Sequence, residues 1–396
     1  MFEKLEMAPP DPILGLTEAY NKDSNPEKIN LGVGVYKDAS GKTPVLECVK
    51  AAEARILEEE SSKGYLPMSG SPDYGAAVQQ LVFGANSNVV SAGRAATAHT
   101  PGGTGALRVA GDFMRQQRPN RKIWLPDPTW ANHQGIFAAA GLPTETYAYF
   151  DAASNSVDFA AMTASLTAIP GGDVVLLHVC CHNPAGADLS AEQWNVVADI
   201  VAERELLPLL DFAYQGFADG LEEDAVGATI MARPDAELLL CSSFSKNFSL
   251  YNERTGALTV IAADADAVEK VMSHVKLTIR TNYSNPPAHG AKIVTGIVND
   301  PDLRSQWLVE LKDMRDRING MRSLFVDTLA GIGVEKDFSF IKHQRGMFSF
   351  SGLNKDQVQA LRNDNAIYIV GSGRINVAGM TEDNMDRLCN AIKAVL

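Results

Sequence analysis

Lys246 stands among serines and aromatics in SFSKNFSLYNERTGA, which runs from Ser243 to Ala257, and Arg254 follows eight residues later. A lysine amine can attack a carbonyl or act as a base, and a serine and an arginine can hold an anion beside it. The plain alternative is a solvated surface lysine, which is what most lysines are. Other stretches carry usable chemistry as well. DPTWANH contains Trp130, CHNPAG contains Asn183, DFAYQG contains Asp211 and Tyr214, and HTPGGTGALRVAGDFM contains Gly102, Gly103 and Gly105. Together they offer an aromatic plate, an amide, a carboxylate, a phenol and a glycine-rich turn. The glycines suit close backbone approach to an anion at a helix start; they suit a tight strand-to-helix turn equally well. The turn is not a P-loop, because no Lys-Ser or Lys-Thr follows the second glycine, and it lacks the dinucleotide spacing. HVCCH, from His178 to His182, has no paired zinc spacing, so no metal is expected.

The elements that must position these groups alternate along the middle of the chain. Short apolar runs separated by helical patterns predict an α/β fold, with a mostly parallel sheet sandwiched by helices. The strand candidates are Lys122–Pro126, Asp173–Cys180, Leu206–Phe212, Glu237–Ser243 and Gly256–Ala262. The first four run directly into the polar stretches above, and an open parallel sheet binds ligands at the carboxyl ends of its strands. On a strand, Cys180 and Cys181 would point to opposite faces. From Asp302 to about Leu329 a stripe of Trp307, Leu308, Leu311, Met314, Ile318, Met321, Leu324 and Phe325 predicts one long helix with a core-facing side. FSFIKHQRGMFSFSGL reads as strands with a turn, and TEDNMDRLCNAIKAVL as a closing helix, which together predict a smaller α+β domain. The expected division is an N-terminal arm over 1–12, a large domain over 46–300, and a small domain made of 13–45 plus 301–396.

Composition narrows the function classes. The 396 residues are 45% hydrophobic and 21% charged, as in an ordinary globular protein. A formal net charge of −13 argues against nucleic acid as a partner, which requires a basic face. No apolar run reaches membrane-spanning length, and the start MFEKLEMAPPDPILGL does not read as a secretory signal. Five cysteines without a CxxC pair predict reduced thiols and a cytoplasmic location.

One ligand would use every strand-end group. A flat ring stacks on Trp130, a single phosphate meets the glycine turn, a pyridine nitrogen pairs with a buried carboxylate, and an aldehyde condenses with lysine. That ligand is pyridoxal 5′-phosphate.

SFSKNFSLYNERTGA, CCHNPAGADL, DFAYQGF, TPGGTGAL, NYSNPPAHGA and GSGRINVAGM closely resemble the aspartate and aromatic amino acid aminotransferases. These are class I, fold-type I pyridoxal phosphate enzymes, and the likeness runs from DPILGL to the last helix. The resemblance implies that Lys246 bonds the cofactor's aldehyde, that Asp211 pairs with its pyridine nitrogen, and that Tyr214 and Asn183 bond its phenolic oxygen. Trp130 would stack on the ring. Gly103, Thr104, Ser243 and Arg254 would hold the phosphate, with Tyr65 reaching in from a neighbouring subunit of a homodimer. Arg374 would receive the substrate's α-carboxylate, Arg280 a side-chain carboxylate across the dimer interface, and Gly34 would lie beside the substrate. Ala185 departs from the family's usual threonine after Asn-Pro.

The same resemblance implies ping-pong transamination between amino acids and 2-oxo acids, with Lys246 moving the substrate's Cα proton. Two arginines at opposite ends favour aspartate and 2-oxoglutarate, and Val35, Lys37, Thr43, Thr104 and Asn285 follow the aspartate pattern. YLPMSG looks more like the aromatic members, which makes phenylalanine and tyrosine the alternative donors. More distant alternatives on this fold are β-lyases, decarboxylases and regulatory sensors; the last would need a DNA-binding extension.

Overall fold

A computed structural model describes residues 2–7 and 14–396. Of the arm expected over 1–12, Phe2–Lys4 form one 3-10 turn with Phe2, Leu5 and Met7 exposed, while residues 1 and 8–12 lie outside the described residues. The centre is a seven-stranded sheet in the spatial order Ala95–Pro101, Thr255–Ile261, Leu238–Ser243, Leu207–Phe212, Val174–His178, Ile123–Asp127, Thr144–Ala148. Only Thr255–Ile261 runs antiparallel to its neighbours. The α/β expectation therefore holds, with strand bounds within two residues of those anticipated.

The sheet is covered on both faces, so its central strands read as unbroken apolar runs rather than alternating ones. Alternation survives in where the side chains go. Leu176, Leu209 and Leu239 pack with the helices Gly102–Gln117 and Ala265–Asn282. Leu177, Leu210 and Leu240 pack on the other side, with Val78, Trp194 and Ile293 from the helices there. Two strands escaped the sequence reading, Ala95–Pro101 and Thr144–Ala148. Both are edge strands, partly exposed, and carry too few apolar residues to announce themselves.

Asp300 starts the long helix Pro301–Gly331 by accepting from the amides of Asp302 and Leu303. Trp307, Leu311, Met314, Ile318, Met321 and Phe325 are buried as the stripe requires. Leu308 is a correction: it is 42% exposed, one position off the core-facing row. The next segment also differs from expectation. FSFIKHQRGMFSF contains a short helix, Phe340–His343, and only Phe348–Phe350 is a strand, pairing antiparallel with Arg374–Asn376. Ile29–Asn30 pairs in parallel with Ile367–Tyr368, and the helix Glu382–Val395, boxed at its start by Thr381 and Asn384, closes the chain.

The cysteine pair is a further correction. The strand ends at His178, and Cys181 takes a left-handed conformation with φ 52°, which breaks the alternation. The two sulfurs and an Asp224 oxygen lie within 4.8 Å of one another instead of on opposite faces. Both cysteines are buried and free.

Candidate active site

Strand after strand delivers its terminal residues to the same edge. Asp211 is the penultimate residue of Leu207–Phe212, level with His178 on one side and Cys241 on the other. Trp130, Asn183 and Lys246 follow the ends of three further strands, and Gly103 and Thr104 open the helix that follows Ala95–Pro101. A cavity of about 270 Å³ lies between them, at the small end for a ligand site. Gly34, Gly103, Thr104, Trp130, Asn183, Asp211, Tyr214, Ser243, Lys246, Arg254 and Arg374 all line it, as expected from the sequence.

The lysine loop is fixed by apolar anchors. The Phe244 amide donates to the Thr255 carbonyl at 3.0 Å, which closes the turn across its base. Phe248 stacks on Trp307 at 4.2 Å, and the Trp307 indole donates to the Asn247 carbonyl at 2.7 Å. Lys246 is left with its amine 4.4 Å from the centroid of the Tyr214 ring. Burial is the main reason its pKa falls to about 8; Arg254 pushes the same way and Asp211 opposes.

Asp211 is 8% exposed. Burial pushes its carboxyl upward, but the hydrogen bond from His133 and the charges nearby outweigh this and hold it below its ordinary value. An ionised carboxylate only accepts, so His133 Nε2 donates to Asp211 at 3.1 Å. Thr129 Oγ1 lies 2.8 Å from His133 Nδ1 and 3.2 Å from His178 Nε2, so its hydroxyl links the two rings. This linked set holds His133 against the acid and favours its ionised form.

At the glycine turn, a Cβ on Gly102 would sit 2.5 Å from an Arg254 nitrogen, and one on Gly103 would sit 3.0 Å from the Ser243 Cβ. Gly102 also has φ 74°, so both space and conformation require glycine there. The sixteen-residue helix starting here has no side-chain cap, so its first amides are free to meet an anion. Arg254 donates to the Tyr251 carbonyl at 2.8 Å and, at 3.4 Å, to Ser245. Uncapped amides, two serines and a guanidinium are the donor set for a phosphate. An aromatic plate and an ionised acid beside them fit a phosphorylated pyridine ring, and the partly neutral amine fits its aldehyde.

Arg374 is buried at the opposite side of the cavity. It donates to the Gly32 carbonyl at 2.7 Å and to Asn183 Oδ1 at 3.3 Å, with the Phe348 ring 4.1 Å beneath it. Its Nε has no hydrogen-bond partner among the described residues. Asn183 also donates to the Tyr214 hydroxyl at 3.5 Å, joining the two halves of the site.

Two expected residues are not brought in. Tyr65 is 94% exposed, and Arg280, in the last turn of Ala265–Asn282, donates to Ser284 at 2.6 Å; neither lines the cavity. Conversely, Phe348, Ser245 and Tyr251 line it without having been singled out, and Thr129, His133 and His178 support it. His133 was legible as a polar residue three positions after Trp130, whereas Phe348 carried no signal beyond its aromaticity.

Comparison with known proteins agrees with this geometry. Residues 26–392 match the family model described as aminotransferase class I and II. The chain is 56% identical over 396 residues to an aspartate aminotransferase of Salmonella typhi, covering all of both chains. It is 49% identical over 394 residues to an aromatic-amino-acid aminotransferase of Pseudomonas aeruginosa, covering 100% of this chain and 98% of the other. A crystal structure of an aromatic-amino-acid aminotransferase from Burkholderia pseudomallei, covalently bound to pyridoxal phosphate, superimposes with a TM-score of 0.98 at 48% identity, covering 100% and 99% of the two chains. The chain belongs to the class I and II aminotransferases, and it is a fold-type I enzyme whose cofactor is pyridoxal 5′-phosphate.

Proposed function

We propose that the enzyme transfers the amino group of L-aspartate to 2-oxoglutarate, releasing oxaloacetate and L-glutamate. The observation that carries this reading is a buried guanidinium with an unpartnered Nε, Arg374, facing the same small cavity as Lys246 and Asp211. A planar guanidinium meets a carboxylate through two parallel bonds, which fixes a substrate's orientation as well as its charge. Identity to a relative named as an aspartate aminotransferase supports the choice of donor.

Pyridoxal phosphate supplies an aldehyde that joins amines and a protonated pyridine ring that draws off the electron pair released at the substrate's Cα. Gly103, Thr104, Ser243 and Arg254 hold its phosphate, Trp130 covers its ring, and Tyr214 and Asn183 hold its phenolic oxygen. Asp211, kept ionised by the His133 relay, stabilises the proton on the ring nitrogen. Lys246 Nζ, with its pKa lowered to about 8, is neutral in a useful fraction of molecules near neutral pH and takes the Cα proton as a base. Arg374 and Gly34 hold the α-carboxylate end while this happens. One site serves both the donor and the acceptor, so ping-pong kinetics are expected.

The roles of Tyr65 and Arg280 call for a homodimer with shared sites. Both are exposed here and away from the cavity, as residues reserved for a neighbour would be. Mixing inactive Lys246→Ala and Arg280→Asp parents then puts both lesions in one site and neither in the other. Partial aspartate activity is expected to return on subunit exchange; confirmed mixed dimers that stay inactive would remove the shared site.

A second reading, phenylalanine and tyrosine as additional donors, is favoured by the exposed setting of Arg280. Its one described side-chain partner is Ser284, four residues away, so it can turn aside for a neutral side chain. Residues 46–300 are taken as the large cofactor-binding domain and 13–45 plus 301–396 as the small one. Pairing of Ile29–Asn30 with Ile367–Tyr368, and Asn376 donating to the Val35 carbonyl at 2.9 Å, support that grouping. A cytoplasmic location is supported by five free, buried cysteines; among the described residues no helix is long and apolar enough to cross a membrane.

The direct test of the function is borohydride treatment of the cofactor-loaded enzyme, followed by peptide mapping. The pyridoxyl group is expected on Lys246, and its appearance on another lysine would refute the assignment.

A further inference from the structure

Arg322 is 1% exposed, deep in the long helix Pro301–Gly331, and among the described residues no carboxylate forms an ion pair with it. A buried charge without a counter-ion is expensive, and an apolar residue could fill the space. What the guanidinium adds is a set of fixed donors. One terminal nitrogen donates to the Ile341 carbonyl at 3.2 Å and to the Ser349 hydroxyl; the other donates to the carbonyls of Gly346 at 2.5 Å and Phe348 at 2.9 Å. One side chain therefore ties the short helix Phe340–His343 to the turn at Gly346 and the start of the strand Phe348–Phe350.

That turn is pressed against the catalytic edge. A Cβ on Gly346 would sit 2.4 Å from the Cys181 Cβ, and one on Gly186 would sit 2.6 Å from the Phe348 carbonyl oxygen. The Arg345 amide donates to the Gly186 carbonyl at 2.7 Å. The same Phe348 whose carbonyl is pinned by Arg322 turns its ring the other way. The ring lies 4.1 Å from the Arg374 guanidinium, and a Cβ on Gly34 would come within 2.9 Å of its tip. Among the described residues Arg374 has two hydrogen-bond partners, Gly32 and Asn183, so the ring beneath it supplies much of its orientation.

We propose that Arg322 is a positioning residue for carboxylate recognition: it fixes the Gly346–Phe348 segment from behind, so that the Phe348 ring holds Arg374 aimed into the cavity. This rests on the reading of Arg374 as the α-carboxylate receptor. Arg322 touches neither cofactor nor substrate and acts through Phe348.

The test uses cofactor-loaded Arg322→Lys, which keeps the charge but cannot span four acceptors. Dissociation constants for succinate and for 3-phenylpropionate, read from the visible absorbance of the bound cofactor, are expected to rise about tenfold, the equivalent of one charged hydrogen bond. The KM for aspartate should rise with them, whereas kcat and cofactor retention should stay close to those of the parent. Combining Arg322→Lys with Phe348→Leu should add little to either alone, because both act on one contact. Unchanged dissociation constants, full additivity, or a joint loss of kcat and cofactor would each overturn the proposal. If Arg322→Lys does not fold, Ser349→Ala decides: a rise of about threefold in both constants is expected from losing one neutral partner, and no rise overturns the proposal. Arg374→Lys in the same assay separates the two layers. If it leaves both constants unchanged, the receptor reading fails and this inference falls with it. If it weakens binding while Arg322→Lys does not, only this inference falls.

Discussion

Asp211→Asn is expected to lower the rate of the aspartate half-reaction by about a hundredfold to a thousandfold, the range for removing one preorganised charge from a transition state. The two side chains have nearly the same size, and an asparagine oxygen can still accept from His133 Nε2, so the relay through Thr129 and His178 keeps its geometry. Only the charge is lost. On the role proposed for Asp211, the ring nitrogen would then have no anion to keep it protonated, and the electron pair left by Cα deprotonation would lose its sink. The donors proposed for the phosphate, Gly103, Ser243 and Arg254, are untouched, so the cofactor should stay bound. Single-turnover absorbance with aspartate, alongside a measurement of cofactor content, separates the two effects. Near-parental turnover in a loaded variant would remove Asp211 from its role.

Arg280→Leu should reduce kcat/KM for aspartate by about a hundredfold or more, because the charge pair proposed to be hydrogen-bonded across a dimer interface would be lost. The phenylalanine half-reaction, measured in one turnover without a dicarboxylic acceptor, should change far less. An aromatic donor has no partner for the guanidinium and requires it to turn toward solvent, at a cost in side-chain order. Arg374→Leu should depress both donors, since every amino acid carries the α-carboxylate. Equal losses for aspartate and phenylalanine in Arg280→Leu would make that arginine structural and move the dicarboxylate selectivity elsewhere.

Much of this site was legible because a parallel sheet converts sequence order into spatial convergence. Trp130, Asn183, Asp211 and Lys246 each follow or end an apolar run, and the rule that strand ends meet at one edge was enough to assemble them. Where signals were weak, the reason is physical. Ala95–Pro101 lies at the sheet edge, where an alanine, a histidine and a threonine fill even its buried positions, so no apolar run marks it. Phe348 reaches the cavity through long-range pairing with Arg374–Asn376 and through Arg322, neither of which leaves a local trace. The left-handed Cys181 overrode the alternation expected of a strand, because a single backbone angle can reverse the direction of a side chain. Arg322 was hidden for another reason: a lone arginine on a helical stripe looks like a solvated one, and its burial depends on a turn more than twenty residues away.

The one antiparallel strand of the seven-stranded sheet has a mechanical consequence. Because Thr255–Ile261 runs back from the edge at which Leu238–Ser243 finishes, the chain between them never leaves that edge. The amine of Lys246 and the guanidinium of Arg254 thus belong to a single loop stapled at its base by Phe244 and Thr255. They are the two jaws of one clamp on one hinge. A shift of the C-terminal layer would carry Phe348 and Arg374 with it and change the grip on substrate. The span between the jaws is set first by a short stretch of chain, and the one distant element braced against it is the long helix, through Trp307 on Phe248 and Asn247. A parallel strand in the same place would have sent the chain across the sheet through a connecting segment, and the two handles on the cofactor would then have answered to different parts of the molecule.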